Sequence, residues 1–271
     1  MLVTVDTGGT KTLVTQFEQD GVIGEIIRFP TPKNQDEYVT VLRSLLREKY
    51  ADKTVEAVIV ALPGIVKNGI AVWCNNLKWK NFDAHSALSG VLGDTPILIE
   101  NDANLAGLAE TRILEPVPQS SLYVTVSTGI GTGVITNGRI DPGLRYSEGG
   151  RMLVEFSGEV REWESFASGK AIHTAYNSYA RDITDKQTWE EIADRISRGF
   201  LAIIPMVQPD IVIVGGSIGT YFEQFGHQLE MILREKLPPH IVCPIFRQAK
   251  HPEEAVLYGC YYYALDSLAD S

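Results

Sequence analysis

The first twelve residues, MLVTVDTGGTKT, carry a short apolar strand into Asp6 and then into a glycine turn bordered by Thr7, Thr10, Lys11 and Thr12. A turn of this composition can present backbone N–H groups and hydroxyls to a polyphosphate while the carboxylate at its root faces a metal ion. Asp6, Gly8, Gly9, Thr10 and Lys11 are therefore read as a candidate nucleotide site. One such turn is weak support, because glycine pairs also close ordinary hairpins. A second one shifts the balance: Ser127, Thr128 and Gly129 open the run STGIGTG directly after the apolar residues 122–126. Each loop sits at a strand end in its own half of the chain, as expected if two related units clamp one phosphate chain.

A third turn, Gly215-Gly216-Ser217, ends the apolar stretch 211–214 and opens onto a predicted helix. That arrangement suits close backbone approach to adenosine, and it suits tight strand-to-helix packing equally. Asp102 follows a predicted strand at 96–100 and opens a predicted helix at 103–112. Its carboxylate can project from the strand end; alternatively Asp102 or Asn101 is the helix N-cap, a role both residue types fill well.

The elements that must position these groups follow from periodicity. The opening reads as three strands at 2–6, 12–17 and 22–29, then an amphipathic helix over 35–50 with Tyr38, Val41, Leu42, Leu45 and Leu46 on its buried side. A buried strand at 55–61 is followed by a hairpin over 65–73 turning at Asn68-Gly69, a helix at 85–92, and the strand and helix that flank Asp102. In the second half, strands at 122–126 and 131–136 carry the second loop, and a turn is expected at Asn137-Gly138. The longest helix is predicted over 189–207, with Thr188 and Glu191 as a capping box and Pro209 ending it. A helix at 221–236 and a last helix from about Pro252 to Leu268 complete the chain.

Composition bounds the possibilities. The 271 residues and 44% apolar content allow two lobes, each with its own core. A net charge of −10 argues against nucleic acid or an anionic membrane as the main partner, since both reward clustered Lys and Arg. No long apolar run or signal-like N-terminus is present, so a soluble, cytoplasmic protein is expected. Cys74, Cys243 and Cys260 are widely spaced and odd in number, which suggests neither a disulfide framework nor a zinc knuckle.

Taken together, DTGGTKT at 6–12, ALPGIVKNG at 61–69, ENDANLAGLAE at 100–110, STGIGTG at 127–133, SEGGRM around Glu148, ESFASG at 164–169 and VGGSIG at 214–219 resemble the ROK group of sugar kinases within the actin-like ATPase superfamily, over almost the whole length. The resemblance implies a two-lobed α/β fold of the ribonuclease H-like kind, with mixed sheets flanked by helices and the active site in the interlobe cleft. It implies lobes at 1–112 and 113–251, with the final segment 252–271 packing back on the first lobe. It also implies ATP-dependent phosphorylation of a hexose or N-acetylhexosamine hydroxyl, with Mg²⁺, in a homodimer.

Residue by residue, the resemblance makes Asp102 the base that accepts the proton of the attacking hydroxyl, and makes Asp6 the residue that holds Mg²⁺. Thr10, Lys11, Thr128 and Gly129 would contact phosphates, and Gly215, Gly216 and Ser217 would lie along adenosine. Gly64, Asn76, Asn101, Asp102, Glu148 and Glu164 would hold the sugar, because carboxylates and amides suit vicinal hydroxyls that donate and accept at once.

The chain departs from the family in one place. Many ROK proteins follow this glutamate, after two residues, with a histidine that touches the sugar and helps hold zinc, and then with a cysteine cluster. Here Arg151 takes the histidine position, and residues 151–163 contain neither Cys nor His, so no structural zinc is expected. Arg151 is expected to pair internally with Glu148 or Glu155 in preference to recognising an anionic sugar. Competing functions are a sugar-sensing repressor, which needs an added DNA-binding module where this chain starts at its first strand, and a catalytically silent sensor or ATPase switch. Retention of Asp6 and Asp102 favours the enzyme.

Overall fold

In the computed structural model, which describes residues 1–251 and 254–269, the chain divides into two compact units, Met1–Ala109 with Glu254–Ser271, and Glu110–Glu253. Each contains a five-stranded mixed sheet.

In the first unit, β1 (Leu2–Thr7), β2 (Lys11–Phe17) and β3 (Ile27–Pro30) form an antiparallel meander, followed by α1 (Gln35–Tyr50) and β4 (Ala57–Leu62). A small three-stranded sheet then forms from β5 (Ile65–Lys67), β6 (Ile70–Cys74) and β7 (Trp79–Asp83). After α2 (Ala84–Leu88) come β8 (Ile97–Asn101) and α3 (Asp102–Arg112). The main sheet has the order β3-β2-β1-β4-β8, with β4 and β8 parallel to β1. β4 is buried at every position because both faces of the sheet are covered, which is why its sequence AVIVAL is continuously apolar. Val58 and Val60 face α1 through Leu42 and Leu46. Ala57, Ile59 and Ala61 pack on the other face with Leu105 of α3 and with Cys260 and Ala264 of α9 (Ala255–Ala269).

The second unit repeats this plan. Its main strands are β9 (Ser120–Val126), β10 (Ile130–Thr136) and β11 (Arg139–Ile140), then β14 (Ile211–Gly215) and β15 (Ile245–Gln248), in the order β11-β10-β9-β14-β15. Between them lie the hairpin β12 (Leu153–Phe156) and β13 (Glu159–Glu162), then α4 (Glu164–Ala167), α5 (Gly169–Tyr176) and α6 (Lys186–Val207). After β14 come α7 (Gly216–Gly219) and α8 (Phe222–Lys236). One core joins Leu122, Val124 and Val214 of the sheet to Ile196 and Phe200 of α6 and Phe225 and Leu229 of α8.

Several expectations are corrected. The third strand is only four residues long, because the Thr15 hydroxyl takes the carbonyls of Gly24 and Glu25, each at 3.1 Å, in place of a regular ladder. The long helix begins at Lys186 and its N-cap is Asp185, whose side chain accepts from Thr188 N–H at 2.8 Å; Thr188 lies inside the helix and is no cap. The predicted 85–92 helix is the five-residue α2, and β7, β12 and β13 are additional strands. The expected start of the last helix at Pro252 lies outside the described residues; the described helix begins at Ala255. The three cysteines are free, with Cys74 and Cys260 buried. Among the described residues no helix is long and apolar enough to cross a membrane.

Candidate active site

In the first unit the glycine turn joins β1 to β2, with Thr7 opposite Thr12 and Asp6 opposite Leu13. The turn is internally fixed by Gly8 N–H donating to the Lys11 carbonyl at 2.9 Å. Asp6, the last part-buried residue before the turn, has its carboxyl pushed up to about 7, first by burial and then by the negative charge of Asp102, with Lys11 opposing. The two acids thus share one electrostatic environment. Behind them, Thr7 Oγ1 and the buried Tyr38 hydroxyl are 2.7 Å apart, which ties the end of β1 to α1.

Asp102 is the first residue of α3, and the capping is done by its neighbour: Asn101 Oδ1 accepts from Asn104 N–H at 2.9 Å. Asn101 Nδ2 donates to Asp102 Oδ1 at 3.2 Å and to the Gly64 carbonyl at 2.8 Å. Ala103 N–H also donates to Asp102 Oδ1, at 2.8 Å. The cap of α3 is therefore Asn101, and Asp102 carries no capping duty. Burial raises its carboxyl to about 6 even though the Ala103 N–H works in the opposite direction.

Gly64 has φ of +85°, and a Cβ there would lie 2.2 Å from the Trp73 carbonyl oxygen, so only glycine brings this carbonyl to Asn101. Asn76 lies against the glycine turn, with its Cβ 3.2 Å from where a Gly9 Cβ would be. Glu100, to which sequence reasoning assigns no role, is buried, and its carboxylate accepts from Asn101 N–H at 2.8 Å and from Asn104 Nδ2 at 3.0 Å, bracing the start of α3.

In the second unit the loop Ser127-Thr128-Gly129 joins β9 to β10, closed by Ser127 N–H to the Gly129 carbonyl at 2.8 Å. Glu164, at the start of α4, sits directly on it: its Oε2 accepts from Ile130 N–H at 2.9 Å and would be 2.3 Å from a Gly129 Cβ. Gly215 and Gly216 press on the root of the same loop. A Cβ on Gly216, whose φ is +81°, would lie 2.6 Å from Thr125 Oγ1, and one on Gly215 would lie 2.3 Å from the Tyr123 hydroxyl. Ser217 and Thr128 are exposed.

Glu148 is part-buried and precedes the one-turn helix 149–151, which is held to β10 by Gly149 N–H donating to Thr132 Oγ1 at 3.0 Å. Arg151 at the end of that turn reaches Glu162 Oε2 at 2.5 Å and Glu164 Oε1 at 3.1 Å. An internal pairing of Arg151 thus forms, with Glu162 and Glu164; Glu155 lies opposite Val160 in the β12–β13 register, beside Arg198 instead.

Whether metals fit can be judged from the donors. Two part-buried carboxylates, both raised by burial and Asp6 further by the charge of Asp102, suit a cation, and Asp6 could hold Mg²⁺ as one oxygen ligand with water and phosphates supplying the rest. Among the described residues no group of three His, Cys, Asp or Glu side chains is placed to hold a metal unaided. Residues 151–163 do not fit zinc, since they offer no thiolate or imidazole. The β12–β13 hairpin closes by other means: Phe156 stacks on Phe166 with centroids 4.4 Å apart, Arg161 lies over both rings, and Arg195 covers Phe156.

Two sheets of identical order, each with a glycine loop between its first two antiparallel strands and two parallel strands beyond, define the duplicated actin-like ATPase fold. The chain belongs to the ROK family, whose model matches residues 2–267. It is 28% identical to an N-acetylmannosamine kinase of Haemophilus influenzae strain PittGG over 297 residues, which cover 98% of this chain and 96% of that one. Among solved structures, a ROK hexokinase from Thermus thermophilus is 25% identical with a TM-score of 0.78, covering 100% of this chain and 99% of that one. An inorganic polyphosphate/ATP-glucomannokinase from Arthrobacter sp. strain KM is 25% identical with a TM-score of 0.74, covering 98% of each.

Proposed function

We propose that this chain is an ATP-dependent kinase that phosphorylates a hydroxyl of a neutral hexose or N-acetylhexosamine. Family membership and full-length relatives that act on N-acetylmannosamine, hexoses, and glucose or mannose support the sugar-kinase class. The observation that carries the chemistry is Asp102: Asn101 takes over the capping duty, and burial raises the carboxyl to about 6, close to the pH at which a base is both ionised and proton-accepting.

In this reading Asp102 Oδ2 takes the proton of the sugar hydroxyl as it attacks the γ-phosphorus. Asn101 orients the base through its Nδ2 and, with Gly64, Asn76, Glu148 and Glu164, positions the sugar. The Gly9 and Thr10 amides of the Gly8–Lys11 turn and those of Thr128 and Gly129 hold phosphates, and Gly215, Gly216 and Ser217 lie along adenosine. Bound Mg²⁺, held through Asp6, would neutralise charge on the phosphates. The neutrality of the sugar follows from Arg151: its guanidinium is engaged by Glu162 and Glu164, so the charge that would attract an anionic sugar is already met by carboxylates.

The absence of zinc and a homodimeric state also belong to this proposal; metal analysis and light scattering on the purified protein test them. The function itself is tested by ADP release from ATP across hexoses, N-acetylhexosamines, a uronic acid and a sugar-free control. Sugar-dependent turnover with neutral sugars is expected. ATP turnover indifferent to every sugar would instead favour an ATPase switch.

A further inference from the structure

The phosphate turn of the first unit is held from behind by the connection between β3 and α1. Thr31, which is buried, donates through Oγ1 to the Gly8 carbonyl at 2.8 Å and through its backbone N–H to the Thr10 carbonyl at 3.0 Å. Thr12 Oγ1 lies 2.9 Å from the same Thr31 hydroxyl and fixes its rotamer. Two residues on, the exposed Lys33 donates through Nζ to the Gly9 carbonyl and, at 3.5 Å, to the Asn76 carbonyl. Its own backbone is anchored where Trp79 Nε1 donates to the Lys33 carbonyl at 2.7 Å.

A planar trans peptide points its C=O and the following N–H in opposite directions. Capture of the Gly8 carbonyl by Thr31 therefore turns the Gly9 N–H away from the strap, and capture of the Gly9 carbonyl by Lys33 does the same for the Thr10 N–H. Neither N–H has a hydrogen-bond partner among the described residues. Successive free N–H groups on one side form an anion-binding concavity, whereas a carbonyl turned into it would repel phosphate.

We propose that Lys33 is a positioning residue for the nucleotide: by holding the Gly9 carbonyl back, it keeps the Gly9–Thr10 peptide in the orientation that offers its N–H to phosphate. The inference rests on reading this turn as the phosphate site of a sugar kinase. Nothing in the sequence marked Lys33, because its contacts are to backbone oxygens supplied by two distant loops.

The test compares Lys33→Met and Lys33→Gln with the wild-type protein, reading the affinity for MgATP by calorimetry without sugar, the KM values for ATP and sugar, and thermal unfolding. Lys33→Met is expected to weaken MgATP binding about tenfold, the scale of one lost charge-assisted hydrogen bond. The sugar KM is expected to move far less, and the melting temperature to stay unchanged because the side chain is exposed. Lys33→Gln keeps a donor without the charge and is expected to recover most of the loss. Wild-type MgATP affinity in Lys33→Met overturns the inference, and so does a Lys33→Gln protein as weak as Lys33→Met, since the ammonium charge rather than carbonyl capture would then be acting. A wild-type protein that binds no MgATP would overturn the kinase reading and the inference with it, whereas the variant results bear on Lys33 alone.

Discussion

Glu164 accepts a hydrogen bond from Ile130 N–H at 2.9 Å, so a carboxylate proposed for the sugar is physically seated on the loop proposed as a phosphate cradle. Asn76 against Gly9 repeats the relationship in the first unit. In the proposed reading, sugar and nucleotide contacts are therefore mechanically joined within each unit.

Gly129→Ala tests this joint. The added methyl would meet Glu164 Oε2 at 2.3 Å and must displace it. Both the sugar and the ATP KM are expected to rise, and the effects of Gly129→Ala and Glu164→Gln are expected to be non-additive because they act on one contact. Strictly additive losses would show that the loop and the carboxylate work separately.

Asp102→Asn removes the proposed base while keeping the shape and the Asn101 contact. Turnover is expected to fall roughly 10²- to 10⁴-fold with MgATP affinity nearly intact. Full activity in this variant would remove Asp102 from the chemistry.

The same group sets the pH profile. Because the base must be ionised and its carboxyl is raised to about 6, kcat/KM for the sugar is expected to be flat above that pH and to fall about tenfold per unit below it. A profile still flat at pH 5 would contradict the raised carboxyl.

Asp6 should reveal a cost in the nucleotide-free protein. Its carboxyl is raised from 3.8 to about 7, so between those values the folded state holds a proton that the unfolded chain has released. The stabilisation from this group is complete below the lower value and is lost as pH rises through about 7. Asp6→Asn, which does not titrate, is therefore expected to melt above wild type at pH 8, with the gap narrowing toward pH 4. Mg²⁺ and nucleotide should raise the wild-type melting temperature and leave the variant's little changed. A pH-independent gap in thermal scans would count against this account.

Arg151→Met leaves Glu162 and Glu164 facing each other without their shared cation. The sugar KM is expected to rise as Glu164 shifts. Added zinc should neither bind stoichiometrically nor restore activity, as calorimetry and metal analysis can show, because no thiolate or imidazole is available at residues 151–163.

Much of this was legible in the residues themselves. The helix 35–50 was bounded correctly because its apolar period and its Asn34 cap are local, and the Asn68-Gly69 turn because positive φ at both positions is a local property of those residue types. The β12–β13 hairpin has no alternating signal of its own, because its order comes from stacking on Phe166 of the following helix and from cover by Arg195, which is remote in sequence. The Thr188 capping box looked sound locally, yet Asp185 begins the helix three residues earlier.

By itself the sequence determined the doubled glycine loops, Asp6 at the root of the first, and the family, since these depend on residue type and spacing along the chain. Only the tertiary structure decided that Asn101 caps α3 in place of Asp102, that Arg151 answers to Glu162 and Glu164, and that Thr31 and Lys33 hold the first glycine turn. The physical reason is that hydrogen bonds and ion pairs are satisfied by whichever donor folding brings within about 3 Å, and that distance is set by packing rather than by position in the chain.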